Sequence, residues 1–248
     1  MKSTIKYRKL TKEEIVSLTR SGCSSDDWSG IQVAEGFDPS RYVNVTFSGN
    51  IKLGRLNGTH TDESGVRIRS GITNAHIHNC DIGSNVVICN IGDYIANYRI
   101  GDNVVIKNCS KIHTEGTSTF GNRTKVAVLN ETGGRTVRIW DKLSAHEAYI
   151  IALYRHRYKA ILNMEKMVSD YSESVRSDRG LIGDGSTIVS CRNIKNVRIG
   201  PHSRIDGAIS LDEGSINSCI EDPVFIGPGV IMEHFIVCSG SIVTESTL

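Results

Sequence analysis

His113 lies in "KIHTEGT", where a pattern of large aliphatic residues gives way to small polar ones, and Glu115 follows two positions later. A histidine beside a carboxylate that could orient its ring suits a general base, because imidazole titrates near neutrality. The bland reading of the same pair is a solvated corner histidine, the commoner fate of such a residue. "NAHIHNC" places His76 and His78 two apart, on one face if the stretch is a strand, a spacing that suits a pair of metal ligands. Zinc would need a third ligand, for which His60 is the candidate; ordinary exposed side chains are the alternative.

The run "YRHRYK" gathers Arg155, His156, Arg157 and Lys159, and Arg135 and Arg138 precede it. Such cations could clasp a phosphate of coenzyme A or of a nucleotide sugar. One polar face of an amphipathic helix carries the same composition. "NETGGRTV" holds Asn130 and Glu131, the candidate substrate contacts, just before Gly133 and Gly134. Residues alternate on both sides of "TGGR", which favours a β-hairpin over a phosphate cradle.

Composition narrows the classes. The chain has 248 residues, with 29 Lys plus Arg against 27 Asp plus Glu. That near-balance gives no whole-protein attraction to nucleic acid or to a membrane surface. "MKSTIKYRKLTKEEI" lacks the apolar core of a signal peptide, and no apolar run approaches the roughly 20 residues of a membrane span. Seven cysteines, with no CxxC pair, suit free thiols in a reducing cytoplasm.

The elements that must position these residues show in a six-residue rhythm. Ile82, Ile88, Tyr94, Ile100, Ile106 and Ile112 recur in steps of six. The rhythm returns in Ile182, Ile188, Ile194; in Ile199, Ile205, Leu211; and in Ile220, Ile226, Met232, Cys238. Helices repeat near 3.6 and strands at 2, so this period needs a backbone that turns a corner after each short strand. Three faces then make a turn of about 18 residues, with successive turns stacked at roughly 4.8 Å. Glycine is expected at the corners, and Cys80, Cys89, Cys109, Cys191, Cys219 and Cys238 as small core fillers.

Four segments follow. Residues 1–48 hold a short helix over 11–21, opened by the capping box "TKEE", with Leu10 and Ile15 as its staple and Gly22 at its end. Residues 49–122 and 181–248 carry the rhythm. Residues 123–180 hold the hairpin and then, opened by the capping box "SAHE", one amphipathic helix of about 30 residues. The chain stops at "GSIVTESTL" with the rhythm still running, as a truncated chain would.

The phrases "RIGDN", "LIGDG", "RIGPH" and "FIGPG" resemble the hexapeptide-repeat superfamily of bacterial transferases. The resemblance implies an all-β solenoid, a left-handed parallel β-helix, here interrupted by the hairpin and long helix. "NETGGR", "LSAHEAY", "ALYRHR" and "ESVRSDRG" further resemble a bacterial β-helix family whose members are labelled glucose-1-phosphate thymidylyltransferases. The L-x-x-G-x-G-T-R-[LM] phosphate loop of sugar-nucleotide pyrophosphorylases is absent, so nucleotidyl transfer lacks its main motif. The superfamily resemblance implies a homotrimer that moves an acyl group from a coenzyme A thioester to a sugar in a groove between subunits. His113 is then the candidate base, Glu115 its partner, and Arg135, Arg155, Arg157 and Lys159 the candidate cofactor contacts. A second reading is a non-catalytic module that binds sugar nucleotides or serves as a scaffold. A third, by resemblance to γ-class carbonic anhydrases, is a metal site, although their His-x4-His spacing is absent.

Overall fold

The computed structural model describes residues 6–62, 64–128 and 135–248. Among these, the strands form one 20-stranded sheet and two antiparallel pairs, accompanied by three α-helices. Within the large sheet, Tyr7–Lys9 runs antiparallel to Ile31–Ala34, and the other pairings are parallel.

This corrects the fold expected from the sequence. The strand pairings define a large sheet of mixed sense in place of the left-handed β-helix solenoid. A spacing of inward residues constrains which side chains face a core; it does not specify how strands are joined or with what hand.

Burial organises the sheet into rows. Ile72, Ile88, Ile106, Ile188, Ile205 and Ile226 are aligned from strand to strand, each buried to 0% exposure. A second row runs through Phe47, Ile77, Ile95, Ile112, Ile194, Leu211 and Met232. A third joins Leu53, Ile82, Ile100, Ile182, Ile199 and Ile216. The three rows belong to one contiguous core. Each such side chain contributes roughly 1.5–3 kcal/mol on burial, so the rows dominate stability.

Counting by sixes misplaced several residues. Tyr94 was expected inward, but Ile95 fills the row and Tyr94 is half-buried on the outer side. Ile220 and Cys238 are exposed, and Cys89 and Cys219 are only half-buried; Cys80, Cys109 and Cys191 are core residues as expected. The step between rows is not constant, because corners take different numbers of residues.

Asparagine shares those corners with glycine. Asn44, Asn74, Asn90 and Asn108 have φ of 52°, 50°, 56° and 54°. Asn is one of the few residues with a Cβ that tolerates this left-handed region. Their amides form a ladder, each Nδ2 donating to the next Oδ1 at 3.0, 3.0 and 3.1 Å.

Helix α1 (Lys12–Arg20) has the expected capping box between Thr11 and Glu14, and Glu14 also binds Arg8 at 2.6 Å. The box at Ser144 and Glu147 is likewise formed. It opens α2 (Ala145–Leu153), which stops short; α3 (Tyr158–Val175) begins after a break, so the single long helix is corrected to two. The expected stripe fails at that break. Ile150, Tyr154 and Tyr158 are exposed, whereas Ile151, Ala152, Ile161 and Val168 are buried. The hairpin pairs Lys125–Ala127 with Thr136–Arg138, while its expected turn at Gly133 and Gly134 lies outside the described residues.

Tyr98 ties the strands before this insertion to those after it. Its side chain is fully buried, its hydroxyl donates to the Val197 carbonyl at 2.8 Å, and it accepts the Val197 N–H at 3.2 Å. Replacing Tyr98 by Phe removes both contacts while keeping the ring. The expected cost is about 1–3 kcal/mol, read as a lower urea midpoint with an unchanged slope; an unaltered midpoint would show that the clamp is dispensable.

Candidate functional site

Three short strands place the site. His76–Ile77–His78, Tyr94–Ile95–Ala96 and Lys111–Ile112–His113 each alternate outward, inward, outward. Ile77, Ile95 and Ile112 align in the core row, so their neighbours align on the outer face. His78, Ala96 and His113 form one outer line, continued by Lys195.

The sequence separates the His76–His78 pair from His113 by 35 residues, and the sheet brings them to one cleft of about 480 Å³. Its lining includes Ser48, His76, His78, Tyr94, Ala96, Asn97, Lys111, His113 and Glu115. Tyr94 stands between two imidazoles, edge-on to His76 at 6.5 Å and to His113 at 6.0 Å between ring centres. The Lys111 ammonium sits 4.6 Å from the Tyr94 ring centre, within cation–π range.

A chain of hydrogen bonds fixes the protons at one end. The Asn50 backbone N–H donates to Asn79 Oδ1 at 2.9 Å, which orients the amide. Asn79 Nδ2 then faces His78 Nε2 at 3.0 Å and donates to it. Neutral His78 therefore carries its hydrogen on Nδ1, which lies 2.8 Å from Ser48 Oγ. Ser48 Oγ also lies 3.3 Å from His76 Nε2, so one hydroxyl bridges the two imidazoles. Gly49 makes room for this arrangement. Its φ is 70°, and a Cβ there would lie 2.2 Å from Asn79 Oδ1.

His113 is 9% exposed, and its Nδ1 is buried without a hydrogen-bond partner. Burial pushes its pKa below the ordinary histidine value, assisted by the positive charge of Lys111. Glu115 lines the same cleft, but its carboxylate pairs with Lys195 at 3.6 Å, and Lys195 also reaches Asp212 at 3.6 Å. Glu115 therefore does not supply the acceptor that His113 Nδ1 lacks.

The remaining candidates lie elsewhere. Arg135, Arg155, Arg157 and Lys159 are exposed, and none lines the cleft; Arg155 donates to the Thr136 carbonyl at 2.6 Å. Asn130 and Glu131 fall outside the described residues. His60 binds the Asn85 carbonyl and lines a different cleft, so it does not join His76 and His78 as a third ligand. Among the described residues no cluster of three or more His, Cys, Asp or Glu side chains is placed to hold a metal ion. Ser48, Tyr94, Ala96 and Lys111 were not singled out from the sequence. The signal that could have found Tyr94, Ala96 and Lys111 is the shared outward–Ile–outward triplet; Ser48 follows Phe47 and carries no such signal.

Residues 7–248 match the family described as "Domain of unknown function (DUF4954)". The chain belongs to this family. An uncharacterized protein of Treponema pallidum (strain Nichols) is 31% identical over 245 residues, covering 94% of this chain and 34% of the relative. The chain thus spans about a third of that relative's length. These matches correct the resemblance drawn from the sequence. They place the chain in the DUF4954 family and give no link to the hexapeptide-repeat superfamily or to glucose-1-phosphate thymidylyltransferases. Among the described residues of this family member, no helix is long and apolar enough to cross a membrane.

The lowered pKa of His113 has a consequence for stability. Below the ordinary imidazole value of about 6.5, the unfolded chain takes a proton that folded His113 refuses. Stability attributable to this group is therefore complete above that value and falls as pH drops toward the lower folded pKa. Between pH 7 and pH 5, His113→Gln should lose less stability than the parent protein in urea titrations. Equal losses would mean that His113 titrates normally.

Proposed function

We propose that the cleft binds a small hydroxylated compound of the sugar or sugar-nucleotide kind and that His113 withdraws a proton from it during group transfer. The observation that carries this reading is a buried imidazole, held neutral at physiological pH by its burial, at the wall of a cleft rich in polar side chains. A neutral imidazole is the form a general base requires. In acyl transfer from a thioester such as that of coenzyme A, a substrate hydroxyl would attack the thioester carbon and pass its proton to the ring. As the C–S bond breaks, the imidazolium would return that proton to the leaving thiolate. Lys111 supplies a fixed positive charge near any developing oxyanion.

A specific observation favours a second reading, a non-catalytic binding module. A base usually has its second ring nitrogen anchored by an acceptor, and His113 Nδ1 has none.

Thermal shift with sugar phosphates, nucleotide sugars, coenzyme A and acetyl-coenzyme A tests both. A ligand at 100 times its dissociation constant should add about 2.7 kcal/mol of stability. In an active preparation, His113→Ala should lower kcat by roughly 10²–10⁴ while preserving the ligand-induced shift. A shift without turnover in the parent protein selects the binding module. No shift with any of these compounds would remove both readings.

A further inference from the structure

The outer line of residues across the cleft contains one small side chain between two rings. His78, Ala96 and His113 occupy adjacent strands in register. Neighbouring strands lie about 4.8 Å apart, so the two histidine backbones stand about 9.6 Å apart, with only a methyl group at the floor between them. Ala96 is 6% exposed, as a floor residue would be.

The walls differ in chemistry. Both nitrogens of His78 are occupied, by Ser48 and by Asn79, so this ring can offer a ligand its carbon face but no further hydrogen bond. His113 has Nδ1 sealed in the protein, which leaves Nε2 as its one nitrogen for a ligand. His76 Nε2 faces Ser48, which leaves its Nδ1 as the nitrogen for a ligand. The Glu115 carboxylate adds an acceptor at the rim. An apolar wall faces a polar one, with donors and an acceptor around the opening.

We propose that this slot seats a single pyranose ring, stacked on His78 over Ala96 with a hydroxyl directed to His113, and that the methyl group at position 96 admits it. The inference rests on the reading of the cleft as a ligand site and adds the substrate ring and the residue that selects it. A saturated ring suits this lining, because it is puckered and carries hydrogens and hydroxyls on both faces. Its C–H groups suit the His78 face, and its hydroxyls suit the mixed donors and acceptor opposite.

Saturation-transfer NMR with methyl glucopyranoside, methyl galactopyranoside, methyl mannopyranoside and N-acetylglucosamine tests this, with adenine and uracil as flat comparators. At least one pyranose should receive saturation at its ring C–H protons. Ala96→Leu should weaken that binding by about tenfold or more with an unchanged melting temperature, and Ala96→Gly should keep it. Full binding in a folded Ala96→Leu variant, or binding of the flat bases in preference to every pyranose, would overturn the proposal. If no pyranose binds while the thermal shift with larger ligands persists, the ring assignment fails and the wider reading survives. If neither assay detects a ligand, both fail together.

Discussion

Parallel strands in register at a spacing of about 4.8 Å leave little freedom to the side chains on either face. On the inner face, this constraint aligns Ile72, Ile88, Ile106, Ile188, Ile205 and Ile226 into one row, with two further rows beside it. Each residue of a row lies in register with its counterparts on the neighbouring strands, within one contiguous core. A change at one level is felt at its neighbours, because the packing has no slack to absorb it. The same constraint reaches the corners, where the amides of Asn44, Asn74, Asn90 and Asn108 repeat one hydrogen bond from level to level.

Regularity on the inside is what permits variety on the outside. Since Ile77, Ile95 and Ile112 hold three strands in line, their flanking residues can be His, Tyr, Ala or Lys without cost to the core. The cleft is a product of that freedom. Its shape comes from a small residue between larger ones, and its protonation pattern from a backbone N–H that orients Asn79 and thereby His78 and Ser48. Gly49 belongs to this pattern although it touches no ligand, because any side chain there would displace the Asn79 amide.

The inserted hairpin and helices follow different physics. Their small core of Val137, Ile151 and Ala152 is separate from the rows of the sheet. One polar contact to the sheet is made by Asn217, whose Nδ2 donates to the Asp141 carbonyl at 2.7 Å. Tyr98 and Val197, 99 residues apart, close the sheet behind the insertion. The exposed cations of "YRHRYK" fall at the break between α2 and α3, away from the cleft.

Local chemistry was legible from residue order alone. Both capping boxes, the antiparallel pairing of the hairpin strands and the inward placement of most isoleucines follow from interactions spanning a few residues. His113 and the His76–His78 pair were visible as candidates, because their residue types are rare enough in this chain to stand out. Their meeting in one cleft was not, since it depends on which strand pairs with which. The same holds for Glu115, which turns from His113 to Lys195 because a strand some 80 residues onward lies beside it. Tyr94 shows the limit most plainly. A count of six assigns it to the core, whereas the register assigns that place to Ile95 and sends Tyr94 outward to the site. Sequence specifies short-range turns and the supply of apolar residues; the strand register, a property of residues far apart in the chain, decides which polar groups share a cleft.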